Sequence, residues 1–186
     1  MKFKPIGYLY KQVAEKPDWL KAKQVSGIYS LSNCISDSFS DYINYWRHNG
    51  YWLFDSPIIM EEIAQEETLS LKDHHLFYYE AYEKEFDPEI KCWNYFAPEP
   101  SFDTNIELPS IKSLEGFDVV SFFCHTSPEC SPLSCNALAE ELDTNQHCLF
   151  DSFDTAHQAL EQGLFDNSEP SPFRIIAVYS IPGAET

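Results

Sequence analysis

The chain has 186 residues and a net charge of −18 at pH 7, because 30 Asp and Glu residues face only 12 Lys and Arg residues. Duplex nucleic acid is held by basic residues that displace counterions, and an anionic membrane surface repels negative charge, so the composition argues against both as partners. Hydrophobic residues make up 44% of the chain, which is enough to bury a core, and the length favours one domain spanning residues 1–186.

The sequence also predicts a cytoplasmic protein. Its first residues (MKFKP) contain no apolar run of the kind that forms a signal peptide, and no apolar stretch is long enough to predict a membrane-spanning helix. The six cysteines are therefore expected to be reduced thiols.

In chain order, residues 1–25 predict an extended lead-in that two prolines interrupt. Residue type and apolar periodicity then predict strands over residues 27–31, 51–54 and 76–82, and helices over residues 38–47 and from Pro57 onward. Ser56 is the expected N-cap of the second helix. Pro57 then takes the first helical position, where its missing N–H has no cost.

Residues 86–116 contain four prolines and predict a connector with one short strand near Trp93. Beyond the connector, strands are predicted over residues 117–124, 147–150 and 173–181, and helices over residues 134–142 and from a Ser152 cap to about Gly163. Residues 173–181 (FRIIAVYSI) form the most apolar strand, so we expect it at the centre of the sheet.

The two halves of the chain resemble each other weakly. Residues 26–85 align without gaps on residues 122–181 with nine identities, among them the tetrapeptide LFDS, which occurs in both. The alignment predicts two pseudo-symmetric copies of a strand–helix–strand–helix–strand unit. The expected fold is α+β, a mixed β-sheet covered by helices, with the copies related by an approximate two-fold axis. The alternative is two unrelated units that share a chance match.

Four residues are candidates for a site at the junction of the two copies. Cys34 aligns with Cys130, and Asp55 aligns with Asp151. Each aspartate ends a strand before a helix, where carboxylates often bind ligands, although helix capping explains the same placement. Cys130 is the better candidate for a reactive thiol because it precedes a helix, and the alternative for both thiols is core packing.

A metal site is not predicted. Cys124, His125, Cys130 and Cys135 carry soft ligand atoms, but their spacing is not that of a zinc knuckle, and Cys135 falls on the buried stripe of a predicted helix. The sequence thus predicts neither a metal nor another cofactor.

The main functional prediction is a small acidic interaction protein without catalytic activity. An immunity or antitoxin-like inhibitor that binds a basic protein fits the size, the charge and the aromatic content. The glycine-rich, serine-hydrolase and metalloprotease motifs of the common enzyme classes are absent from the sequence. The alternative is a small-molecule enzyme or ligand-binding protein with a site at the junction of the two copies.

Overall fold

The computed structural model describes residues 2–32, 34, 39, 48–122 and 130–183. These residues form an α+β fold, as the sequence predicts. The elements in chain order are β1 (Phe3–Gln12), β2 (Ala14–Glu15), β3 (Gly27–Ile28), α1 (Pro57–Glu66), β4 (His74–Asp87), β5 (Cys92–Tyr95), β6 (Ser113–Ser121), α2 (Pro132–Cys135), α3 (Phe153–Glu161) and β7 (Phe173–Ser180).

The main sheet has five strands in the order β1-β4-β7-β6, with β5 paired to β4. Every pair is antiparallel, so the prediction of a mixed sheet is wrong. A single-helix crossover between neighbouring strands would make them parallel. Here the connection between β1 and β4 also passes through Phe54, which forms an isolated antiparallel bridge with Tyr8 of β1, so the chain reverses once more.

The central position of β7 is confirmed. This strand pairs with β4 on one side and β6 on the other, and its first six residues are buried. A strand buried on both faces must be apolar throughout, which is why its sequence was informative. The predicted short strand near Trp93 is also confirmed, as β5.

The prediction of an extended lead-in over residues 1–25 is wrong, because β1 is a ten-residue strand of the main sheet. Ile6 is fully buried, and Leu9 and Tyr10 are each 1% exposed. Pro5 suggested a break, but it lies on an edge strand beside a register shift between Pro5 and Gly7. Proline is tolerated there because it need not donate to the ladder.

The helices after Ser56 and Ser152 are confirmed as α1 and α3, whereas other predicted elements are shorter or missing. The predicted strands at 51–54 and 147–150 contribute only isolated bridges, Tyr8–Phe54 and Phe117–Phe150. The predicted helix over 134–142 is divided into α2 and a 3₁₀ turn at Leu138–Glu140, because Ala137 between them adopts a left-handed conformation with φ 60°. The predicted helix over 38–47 falls almost wholly outside the described residues.

The core has two parts, one around each long helix. Met60 and Ala64 of α1 pack in one part with β1 and β4, and Ala156 and Leu160 of α3 pack in the other with β6 and β7. Burying each apolar helix stripe against the sheet supplies most of the driving force for folding. Among the described helices, none has the length and apolar character needed to cross a membrane.

Two loops of the chain make the same set of contacts. The Oδ1 of Asn49 accepts hydrogen bonds from two backbone N–H groups, and its Nδ2 donates to the Ile6 carbonyl at 2.8 Å. The Oδ1 of Asn145 likewise accepts two backbone N–H groups, and its Nδ2 donates to the Glu115 carbonyl at 2.8 Å. The carbonyl-bearing residue precedes Gly7 in one case and Gly116 in the other, so each loop is fastened to an outer strand in the same way.

The predicted repeat over residues 26–85 and 122–181 stays a prediction. The first strand expected in residues 26–85 corresponds to β3. This strand pairs with β2 in a separate two-stranded sheet and is not part of the main sheet. The strands that hold the two matching loops are β1 and β6, which the alignment did not pair.

Candidate functional site

Three cysteine side chains from distant parts of the chain come together. The sulfur atoms of Cys34, Cys130 and Cys135 all lie within 4.8 Å of one another. Cys34 is exposed, Cys135 is half-buried and Cys130 is buried, so the cluster extends from the surface into the interior. Two of the four residues singled out from the sequence, Cys34 and Cys130, therefore meet, and Cys135 joins them.

The two candidate aspartates, Asp55 and Asp151, differ in burial and in their contacts. Asp55 is 7% exposed, and its Oδ2 accepts a hydrogen bond from the Asn105 backbone N–H at 2.7 Å. This hydrogen bond ties the connector to Asp55, just before the N-cap residue Ser56. Asp151 is exposed. Serine, not aspartate, occupies the N-cap position of each long helix.

The first arm of the thiol site, residues 30–32 together with Cys34, is held by a buried lysine. Lys11 lies on β1 and is 1% exposed. Its Nζ donates to the carbonyl oxygens of Ser30, Leu31 and Ser32 at 2.5, 3.2 and 2.7 Å. An ammonium group has three N–H donors, so these three bonds use its full capacity. The arm that leads to Cys34 is consequently fixed to the sheet through its backbone.

The second arm, residues 130–135, is tied to the first by a buried carboxylate. Asp118 lies on β6 and is fully buried. Its Oδ2 accepts from the Leu31 backbone N–H at 2.9 Å and from the Ser131 hydroxyl at 2.6 Å. One carboxylate oxygen therefore bonds to both arms. A charged acceptor makes these hydrogen bonds stronger than neutral ones.

Local structure sets the positions of the two cysteines on the second arm. The Ser121 backbone N–H donates to the Cys130 carbonyl at 2.9 Å, which fixes Cys130 beside the end of β6. Helix α2 then begins at Pro132 and turns the chain so that Cys135, its last residue, faces back toward the first arm. The Ser134 hydroxyl donates to the Ser30 hydroxyl at 3.3 Å and closes the junction between the arms.

Hydrogen bonding within the cluster separates the pKa values of the thiols. Hydrogen bonds from the Cys130 and Cys34 thiols and the Ser32 hydroxyl hold the pKa of Cys135 well below its usual range, although burial opposes them. The bond to Cys135 raises the pKa of Cys130. Cys135 is therefore the sulfur that carries negative charge most readily, and thiolate is the form that binds metals and attacks electrophiles.

Two buried charges lie beneath the thiols. Burial lowers the pKa of Lys11 to about 8, while the neighbouring Asp118, Cys135 and Cys34 favour its charged form. Burial raises the pKa of Asp118 to about 6, against the hydrogen bonds from Ser131 and Leu31. At neutral pH Lys11 remains mostly cationic. The positive charge of Lys11 offsets negative charge that develops on the sulfurs.

The floor of the site has unused hydrogen-bonding capacity. Asp118 Oδ1 and the Tyr79 hydroxyl are buried, and neither has a partner within the described part of the chain. Burial, followed by the charge of Asp118, raises the pKa of Tyr79 well above its usual range. Buried polar atoms of this kind are costly unless an internal water satisfies them, so the site is polar well below its surface.

The sequence did not indicate Cys135 or Lys11 as members of a site. Cys135 matched the apolar stripe of a predicted helix, and Lys11 lay in a segment predicted to be a lead-in. The one available signal is that Lys11 directly follows the apolar run Tyr8-Leu9-Tyr10. A charged side chain in such a segment needs hydrogen-bonding or charged partners if it is buried, so it indicates a buried polar site. Cys124 and His125, also considered as metal ligands, lie outside the described residues.

Comparisons of this chain with protein-family models, with curated protein sequences and with solved structures found no match.

Proposed function

We propose that this chain binds a thiophilic metal ion, with Zn²⁺ as the leading candidate, through Cys34, Cys130 and Cys135. The observation that carries the proposal is the mutual approach of the three sulfurs to within 4.8 Å. Tetrahedral zinc with Zn–S bonds of about 2.3 Å separates its thiolates by about 3.8 Å, so small side-chain adjustments bring all three into bonding distance. Thiolates also select Cu(I), which the same experiment distinguishes.

Charge and hydrogen bonding support the proposal. Three thiolates and one Zn²⁺ carry a net charge of −1, which the Lys11 ammonium beneath them offsets. The Ser32 hydroxyl lies 3.5 Å from the Cys135 sulfur, where it can donate to a metal-bound thiolate and orient it. Three protein ligands leave one tetrahedral position for water or another ligand.

We also infer that the site lies at the junction of two related halves. A site at such a junction is the alternative function that the sequence analysis puts forward. The matching loops at Asn49 and Asn145, each fastened to an outer strand, support a duplication. In that arrangement one half is β1, α1 and β4, and the other is β6, α3 and β7. Cys34 and Cys130 occupy aligned positions and contribute one thiol from each half.

Metal titration of the purified, reduced protein tests the proposal. We expect one Co²⁺ per chain with intense sulfur-to-metal charge-transfer absorption, displaced by one equivalent of Zn²⁺. Cys135→Ser should abolish that absorption, because it removes the thiolate with the lowest pKa. Cys92→Ser is the matched control, since Cys92 is exposed on β5 and outside the cluster. Equal binding by both variants, or no binding by the unaltered protein, would reject the proposal.

A second candidate function is binding of a basic protein through the outer face of α1. Ile58 and Ile59 at the start of this helix are 54% and 38% exposed. Glu62 and Glu66, on the same helix, are also exposed, and no basic residue occurs in its last turn. Acidic side chains near a helix C-terminus oppose the helix dipole, which gives them no role in stabilising the helix.

The test of the second candidate is charge reversal on α1. Glu62→Lys with Glu66→Lys should weaken capture of a basic partner from native lysate by 10-fold or more, on the order of 1–2 kcal/mol, and lower the salt sensitivity of what remains. Asp151→Lys with Asp154→Lys is the control of equal charge change, since Asp151 lies just before α3 and Asp154 in its first turn. Equal loss in both variants would indicate general electrostatic attraction without a site on α1.

A further inference from the structure

We infer that the three-thiol centre is also a peroxide-responsive switch, in which Cys34 and Cys135 form a disulfide and the bound metal is released. The release of metal rests on the proposed function, whereas the disulfide rests on the arrangement of the thiols alone. The geometry that carries the inference is a cluster in which one exposed and one half-buried sulfur lie within 4.8 Å of each other.

Access and hydrogen bonding determine which two thiols react. Cys34 is the exposed member of the cluster, so a peroxide reaches the site from its side. The Cys135 sulfur is half-buried and lies 3.5 Å from the Ser32 hydroxyl, which is placed to donate to it. Cys130 is 5% exposed and is the buried member of the cluster. Cys130 is therefore the thiol that remains reduced.

The chemistry balances with hydrogen peroxide or an alkyl hydroperoxide as the oxidant. The Cys135 thiolate attacks a peroxide oxygen, the O–O bond breaks, and Cys135 becomes a sulfenic acid. The departing hydroxide or alkoxide takes from solvent the proton that the Cys135 thiol released when it ionised. The Cys34 thiol then attacks the Cys135 sulfur, the S–O bond breaks, and water leaves with the thiol proton. Two thiols lose two electrons in total, and one peroxide gains them.

The disulfide would remove two of the three metal ligands and join the arms covalently. Cys34 lies on the arm held by Lys11, and Cys135 ends α2, so the new bond links parts of the chain that are 101 residues apart in sequence. Such a long covalent loop makes the denatured chain more compact. Faster migration in a non-reducing denaturing gel is therefore expected.

The experiment treats metal-loaded and metal-free protein with hydrogen peroxide and maps disulfides by mass spectrometry of non-reduced peptides. We expect a Cys34–Cys135 link in both samples and release of one metal ion per chain from the loaded one. Cys34→Ser should stop the reaction at a sulfenic acid on Cys135, detected as a dimedone adduct. Cys92→Ser, which alters a thiol outside the cluster, should behave like the unaltered protein.

The outcomes separate the two proposals. A link in the metal-free sample from a protein that binds no metal would reject the metal function and leave the thiol switch standing. A metal-binding protein that gives no intramolecular link, or one that links Cys130 in place of Cys34, would overturn the switch. Cys34 is exposed, so its replacement by serine leaves folding intact and the comparison interpretable.

Discussion

At the scale of single residues, two glycines fasten the loops to the outer strands. Gly7 and Gly116 have φ angles of +125° and +148°, which residues with side chains rarely adopt. A Cβ added at Gly7 would lie 2.6 Å from the Phe54 carbonyl oxygen, and one at Gly116 would lie 2.7 Å from the Phe150 carbonyl oxygen. Neither oxygen can move freely, because each accepts a backbone hydrogen bond from the strand. The two loops therefore require glycine at these positions.

We expect Gly7→Ala and Gly116→Ala each to lower the free energy of unfolding by about 1–3 kcal/mol or more. The added Cβ strains the backbone and displaces the neighbouring carbonyl oxygen. Urea denaturation monitored by tryptophan fluorescence measures the change. Gly27→Ala is the control, because the nearest atom to its added Cβ is 3.5 Å away. A loss in Gly27→Ala equal to that of the other two would contradict the explanation.

At the scale of elements, the two long helices begin alike but are capped differently. The Ser152 hydroxyl accepts a hydrogen bond from the Thr155 backbone N–H at 3.2 Å at the start of α3. Ser56 occupies the same position before α1, and its side chain makes no capping hydrogen bond. In α1 the first helical residue is proline, which has no N–H to satisfy. The start of α3 thus has a side-chain cap, whereas the start of α1 has a proline that leaves one fewer N–H group to satisfy.

Ser152→Ala should reduce the free energy of unfolding by about 1 kcal/mol through loss of the cap. Ser56→Ala should lose less through helix capping, since no capping hydrogen bond is removed. Hydrogen exchange at the first amides of each helix distinguishes local fraying from a global effect. Faster exchange at the start of α1 in Ser56→Ala, matching that of α3 in Ser152→Ala, would count against this assignment.

At the scale of the whole molecule, the pairing of β4 with β7 joins residues 1–110 to residues 111–186, which are called the two halves of the chain below. The strands pair from Phe77–Ser180 to Phe86–Phe173, with a register shift between Ala81 and Glu85. Across this pair the Arg174 guanidinium bonds to Glu85 at 3.0 Å, and the same group lies 3.3 Å from the centre of the Phe96 ring. Separating the halves would expose two apolar strand edges and leave Arg174 without Glu85. Each half therefore depends on the other for its core.

We expect residues 1–110 and 111–186, expressed together as separate chains, to copurify as a 1:1 complex with native-like circular dichroism. Either piece alone should aggregate or remain unfolded, because its central strand would be an unpaired hydrophobic edge. An affinity tag on one piece and size-exclusion chromatography measure the association. A soluble, folded monomer of either piece alone would show that the halves are independent domains.

Local features account for the elements that the sequence predicted well. Ser56-Pro57 and Ser152 marked helix starts because caps act within one turn, and residues 173–181 marked a central strand because burial on both faces demands apolar residues. By contrast, Pro5 led the sequence analysis to miss β1. A strand tolerates proline when it lies at an edge of the sheet, and β1 does. Sequence periodicity carries no information about that edge.

The candidate site was predicted only in part for a related reason. The alignment paired Cys34 with Cys130, and the structure brings both into one cluster. It did not indicate Cys135, since a cysteine on a helix stripe is normally a core residue. It also joined Asp55 and Asp151 to the thiols, although Asp55 bonds to the connector and Asp151 is exposed. Aligned positions meet in space only where the tertiary structure directs both of them to the same place.

The amino-acid sequence by itself determined the α+β class, the two long helices, the central strand and the strongly acidic charge, because these follow from local propensity and composition. The tertiary structure decided the antiparallel strand order, the place of β1 and the meeting of three thiols over Lys11 and Asp118. Those features depend on contacts between residues some 20 to 100 positions apart. Packing of the entire chain selects such contacts, and no short pattern of residues encodes them.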